Sequence, residues 1–82
     1  MKRDKIFYKI ISPSKMEVNF KGKRLIVSGE LTTTPAFYAD IISIKKWETP
    51  YENTSITEDE KNIIINTIAE DSKDKPVKIY FD

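Results

Sequence analysis

Thr57–Lys73 reads TEDEKNIIINTIAEDSK, and this run decides the fold. Its apolar residues recur at helical spacing. Ile64 and Ile68 centre one face, flanked by Ile63, Ile65 and Ala69, while Asn62, Asn66, Glu70 and Lys73 point the other way. Thr57 and Glu60 have the spacing of a capping box. The threonine hydroxyl can accept the N–H of Glu60, and the glutamate carboxylate can accept the N–H of Thr57. Glu58, Asp59 and Glu60 put three negative charges in the first turn, where the helix dipole favours them. The pattern predicts one amphipathic helix of about four turns, ended by the Asp71–Pro76 segment.

The sequence on either side of that helix reads as strand. Lys5–Ser12 is rich in isoleucine and aromatic residues, and Pro13 punctuates it because proline lacks a ladder N–H. Met16, Val18 and Phe20 alternate with Glu17 and Asn19, the mark of a half-buried strand. Lys21-Gly22-Lys23 supplies a turn, and Leu25, Val27, Gly29 and Leu31 return on one face, so 16–31 is a hairpin. Ala36–Trp47 is a long β-rich run whose apolar phase shifts near Ile41 and Ile42, which predicts a bulge or bend there. Thr49–Ser55 is a polar loop containing Pro50. After the helix, Val77, Ile79 and Phe81 alternate with Lys78, Tyr80 and Asp82 as a last strand.

The order β-β-β-β-α-β with short early turns favours an antiparallel meander. The expected fold is α+β, an antiparallel twisted sheet of four to five strands with one amphipathic helix packed on one face. The 82 residues are expected to form a single domain with one thin core.

Composition narrows the chemistry. The chain has no cysteine and no histidine. Disulfides, thiolate metal sites and thiol nucleophiles are excluded, and so is every imidazole-based triad. Carboxylates are the remaining acid–base candidates. Glu58, Asp59 and Glu60 already have a structural role at a helix start, and Glu48 and Glu52 lack the spacing of a hard-cation loop. No catalytic residue, metal ligand or cofactor is expected, and the chain reads as a binding module. The apolar stretch after the charged start is broken by Lys9 and ends at Ser12, too short for a signal peptide or a membrane span. A cytoplasmic protein with no membrane contact is expected.

The formal net charge of +1 hides an asymmetry. Residues 1–46 carry +6 and residues 47–82 carry −5. Seven acids and a single base, Lys61, lie between Glu48 and Asp71. The lone tryptophan, Trp47, stands at the head of this segment beside Glu48, Pro50 and Tyr51. A tryptophan at a strand end commonly lids a core edge, but Trp and Tyr are also enriched among interface hot spots. The bases cluster at the hairpin tip (Lys21, Lys23, Arg24), near the start (Lys2, Arg3, Lys5) and at Lys45 and Lys46. With Tyr8, Tyr38 and Trp47 as stacking partners they allow a nucleic-acid-binding alternative centred on Lys21, Lys23, Arg24 and Lys45. A pI near 7.9 is below the range usual for such domains, so nucleic acid is not the favoured partner.

The run Ser43-Ile44-Lys45-Lys46-Trp47-Glu48-x-Pro50-Tyr51, followed by Ile56-Thr57-Glu58-x-Glu60-Lys61-x-x-Ile64, resembles the bacterial immunity-protein family numbered seventy-four. Gly29-Glu30-Leu31 and the closing Ile79-Tyr80-Phe81-Asp82 also fit its layout. Thr49 stands where many members have another proline. The resemblance implies a role in polymorphic toxin systems, including contact-dependent growth inhibition. The chain would bind and neutralise a cognate toxin C-terminal domain, and the family brings no catalytic residues. An acidic patch would complement the basic cleft of a nuclease, so a nuclease toxin is expected. The expected toxin-binding residues are Trp47 and Tyr51 as anchors, with Glu48, Glu52, Glu58, Asp59 and Glu70 steering the approach.

Overall fold

Five strands and one helix account for most of the chain, in the order read from the sequence. The structure, a computed structural model, describes residues 6–82. The strands are β1 (Ile6–Ser12), β2 (Lys15–Phe20), β3 (Lys23–Thr32), β4 (Ala36–Ala39) and β5 (Lys78–Phe81), and the helix is α1 (Glu58–Ser72). They form one sheet in the spatial order β1-β2-β3-β4-β5. The first three pairings are antiparallel, as a meander requires. The last is parallel, with Phe37 opposite Ile79 and Tyr38 opposite Tyr80. The sheet is therefore mixed, not purely antiparallel. The chain between β4 and β5 includes the whole helix, and a parallel pair needs a crossover of that length.

The β2–β3 hairpin carries the core. Met16, Val18, Phe20, Leu25 and Val27 are each at most 1% exposed. Their alternation puts all five on the inner face, and burying each stabilises the fold by about 1.5–3 kcal/mol. The turn between them is the two residues Lys21 and Gly22, both with positive φ (55° and 78°). This backbone matches the twist of the strands, and it suits glycine better than lysine. Phe37 and Ile79 extend the core across β4 and β5.

Gly29 has a different task. A Cβ there would lie 2.4 Å from the Tyr38 carbonyl oxygen and 2.5 Å from the Phe37 ring. Glycine at this position lets β4 approach β3 with the Phe37 ring tucked beneath.

The predicted long strand 36–47 stops at Ala39. The Asp40 side chain accepts the N–H of Ile42 and caps a short 3-10 turn over Ile41–Ser43. The Ser43 hydroxyl donates to the Asp40 carbonyl at 2.7 Å and accepts the Ser28 N–H at 3.0 Å. The phase shift at Ile41-Ile42 is thus a full turn that leaves the sheet. It carries Ile44 and Trp47 over the open side of the core.

The helix begins as its sequence requires. Glu60 N–H donates to the Thr57 hydroxyl at 3.1 Å, and Thr57 N–H donates to the Glu60 carboxylate at 3.0 Å. Only a narrow stripe of α1 is buried: Ile64, Ile68 and Ser72, at i, i+4 and i+8. Ile63 remains exposed. The stripe is narrow because α1 lies against β5 and β1, the two outer strands of the sheet.

Candidate functional site

Residues 46–55 form a loop whose ends meet, with Lys46 and Ser55 bridged. Glu48 N–H donates to the Arg24 carbonyl at 2.7 Å, which ties the loop to the tip of the β2–β3 hairpin. Tyr51 N–H donates to the Glu48 carbonyl, Thr54 N–H to the Tyr51 carbonyl, and the Thr49 hydroxyl pairs with the Glu52 carboxylate at 3.2 Å. The Thr49–Pro50 peptide is cis.

Trp47 holds this loop from below and is 0% exposed. Its ring stacks on Phe20, with centroids 6.5 Å apart. The Lys23 ammonium sits 5.6 Å from the Trp47 ring and 5.8 Å from the Tyr51 ring, a cation shared by two aromatic faces. The Trp47 Nε1–H is buried without an acceptor in reach among the described residues. Trp47 is one of the residues expected at the toxin interface. Its full burial makes it the floor of the loop and leaves no surface for a partner to touch.

The other expected residues are accessible. Tyr51, Glu52, Glu58, Asp59 and Glu70 are exposed and Glu48 is half-buried. Glu48, Tyr51 and Glu52 share the loop, and Glu58 and Asp59 follow at the start of α1. Glu70 lies near the other end of α1, about 18 Å further along the axis. Several acids are locally paired: Glu58 with Lys61 at 3.9 Å, Glu70 with Lys73 at 3.0 Å and Asp71 with Lys75 at 3.8 Å. Exposed pairs of this kind contribute little to stability.

The basic residues do not form a separate face. Arg24 pairs with Glu17 at 3.4 Å, Lys21 lies over the Phe20 ring, and Lys23 is held between Trp47 and Tyr51. Lys45 and Lys46 are exposed. Lys2, Arg3 and Lys5 lie outside the described residues. The loop that opens the acidic half meets the hairpin tip through its backbone, where the Glu48 N–H donates to the Arg24 carbonyl. Among the described residues, no acid cluster could hold a metal ion, and no helix is long and apolar enough to cross a membrane.

Two surfaces were not legible from motifs. On the outer face, Tyr38 and Tyr80 stack with centroids 5.4 Å apart, both largely exposed. Their outward positions in the alternations of β4 and β5 are the only signal for them. The second surface is a groove of about 420 Å³, with residues 6–10 of β1 on one wall and Asp71, Val77 and Ile79 on the other. The Tyr8 hydroxyl donates to the Asp71 carboxylate at 2.5 Å across this seam. Burial first, then the bond to Asp71 and its negative charge, push the Tyr8 hydroxyl above its ordinary pKa of 10.0.

Fold and surfaces together describe a small α+β domain whose distinctive parts are faces that a protein partner could cover. Comparison with known families matches residues 10–82 to immunity protein 74, and the chain belongs to that family. Membership implies an immunity protein that acts against a toxin. No curated protein and no solved structure matches the chain.

Proposed function

We propose that this chain is a stoichiometric inhibitor that binds a cognate toxin C-terminal domain in the cytoplasm and takes no part in catalysis. The observation that carries the reading is the family match, which spans every element from β2 to β5. The loop 46–55 and the start of α1 support it. They hold Glu48, Tyr51, Glu52, Glu58 and Asp59 on a frame fixed by Trp47 and the capping box, which suits a pre-organised interface. Between Trp47 and Glu60 there are five acids and no base, so a basic partner such as a nuclease cleft would be drawn to this stretch.

The test is coexpression with the toxin domain, followed by mixing of the purified proteins. Growth is expected to be restored and a complex of fixed stoichiometry to form. Reversing Glu48, Glu52 and Asp59 together should slow association and flatten its salt dependence. Unchanged association and salt dependence would remove the acidic stretch from the interface. Lys23 is engaged by the chain's own aromatic rings, which leaves the hairpin tip poorly suited to stacking on bases.

A further inference from the structure

The two edges of the sheet are finished differently. At β5, α1 covers the outer edge, and the Ile79 N–H that points away from β4 donates to the buried Ser72 hydroxyl at 3.0 Å. That edge is capped by a side chain built for the purpose. At β1, the inner edge pairs with β2 from Ile6 to Ser12. Among the described residues, no backbone group pairs with the outer edge.

Sheet proteins ordinarily blunt such an edge with proline, a bulge, short length or several charges. β1 is seven residues long, IFYKIIS, with Lys9 as its sole charge, and its one register shift lies at the far end, between Ile10 and Ser12, which leaves Ile6–Ile10 as a regular stretch. Its outward side chains include Phe7, 63% exposed, and Ile11, 47% exposed. The edge also opens into the groove described above. Five consecutive residues, 6–10, line that wall, so it presents backbone as well as alternate side chains. At about 160 Å³ per extended residue, from strand spacing, sheet spacing and rise, 420 Å³ accommodates two to three residues.

Charge selects the occupant. Lys9 and Lys75 line the groove with a single acid, Asp71, which is already bonded to Tyr8 and Lys75. Lys9 reaches Glu17 only at 4.0 Å. A second copy of this chain paired antiparallel about the middle of β1 would set Lys9 against Lys9, which is unfavourable. A strand with an acid opposite Lys9 and an apolar residue opposite Phe7 fits. We propose that the open edge of β1 receives an extended, acid-bearing strand of the toxin domain, which adds a sixth strand to the sheet. This inference rests on the toxin-binding reading above.

Two measurements test it separately from that reading. The first uses capped peptides, Thr-Val-Thr-Glu-Thr-Val-Thr and its counterpart with Lys in place of Glu, titrated while backbone amide resonances are followed. The acidic peptide should shift and protect the amides of Ile6–Ile11 and bind roughly fivefold to tenfold more tightly than the basic one. Lys9→Glu should reverse that order, and Lys9→Ala should abolish it, both with unchanged circular dichroism. No shift along β1 with either peptide, or no reversal, would overturn the proposal. The second measures hydrogen exchange with the toxin domain. Protection of Ile6–Ile11 in the complex is expected. A complex that leaves those amides unprotected would overturn the edge proposal and leave toxin binding standing. Peptide binding at β1 with no toxin complex would keep the edge site and defeat the toxin reading.

Discussion

Replacing Trp47 with phenylalanine and with alanine should give very different proteins. Trp47 is fully buried, stacked on Phe20, and its Nε1–H has no acceptor in reach among the described residues. Trp47→Ala removes the whole ring, which costs about 3–5 kcal/mol. At about 0.05–0.15 kcal/mol per residue, a chain of 82 residues holds roughly 4–12 kcal/mol in total, so the alanine variant should lose a third or more of its stability. Phenylalanine keeps the stack on Phe20. It leaves a cavity of about 40 Å³, worth about 1 kcal/mol at 24 cal/mol per Å³. It also loses about 1 kcal/mol of apolar burial. Against this, it removes a buried donor that lacks an acceptor, a penalty of about 1–3 kcal/mol. The net change should lie within about 1 kcal/mol of zero. Urea unfolding followed by circular dichroism measures it, with equal slopes confirming comparable states. A loss above about 2.5 kcal/mol in Trp47→Phe would mean that the indole N–H has an acceptor, and the reasoning would fail. Toxin protection supplies a second check. A tenfold loss of affinity at unchanged stability would mean that the ring itself reaches the partner.

Ser72→Ala should leave the Ile79 N–H buried without an acceptor, costing about 1–3 kcal/mol; thermal unfolding should fall by about 5–15 °C. Gly29→Ala should cost about 3 kcal/mol in the same assay, because the new Cβ meets the Tyr38 backbone, which cannot rotate away as a side chain would. The Tyr8 hydroxyl titrates higher in the folded chain than in the unfolded one, so its contribution is intact below about pH 10 and is lost as pH rises through the folded value. Tyr8→Phe should therefore lower stability by about 1 kcal/mol at neutral pH, and the gap should narrow above pH 10. Denaturation midpoints taken between pH 7 and 11 decide this, and parallel curves would exclude the Tyr8–Asp71 bond as its source.

What the sequence discloses depends on whether local chemistry decides the outcome. The hairpin over 16–31 and the capping box at Thr57 are local devices, and both have the expected geometry. The run 36–47 misleads because β-rich composition outweighs one residue. Asp40 turns the chain by accepting the Ile42 N–H; the apolar phase shift marks the place, but not that the strand ends there. The direction of β5 is equally hidden, since it follows from where the helix leaves the chain relative to β4. At the site, loop sequence marks Tyr51 and the acids as accessible, but depth is a tertiary property. Phe20, Lys23 and the hairpin tip enclose Trp47, and those residues lie more than twenty positions away. The tie between the loop and the hairpin tip is hidden for the same reason, as the Glu48 N–H finds the Arg24 carbonyl across the fold.

The Ser72–Ile79 bond has a kinetic consequence. It spans only seven positions, whereas β5 reaches its strand partner β4 across the whole excursion from Asp40 to Val77. Closing that long loop carries an entropic cost that the short contact does not. Helix and last strand should therefore come together as a pair before β5 docks on the sheet, with the β2–β3 hairpin already in place to receive them. Substitutions in that hairpin should slow folding, and truncation of Ile79 should chiefly hasten unfolding. In a chain made from its N-terminus onward, the sheet would then wait, one strand short, until β5 has left the ribosome.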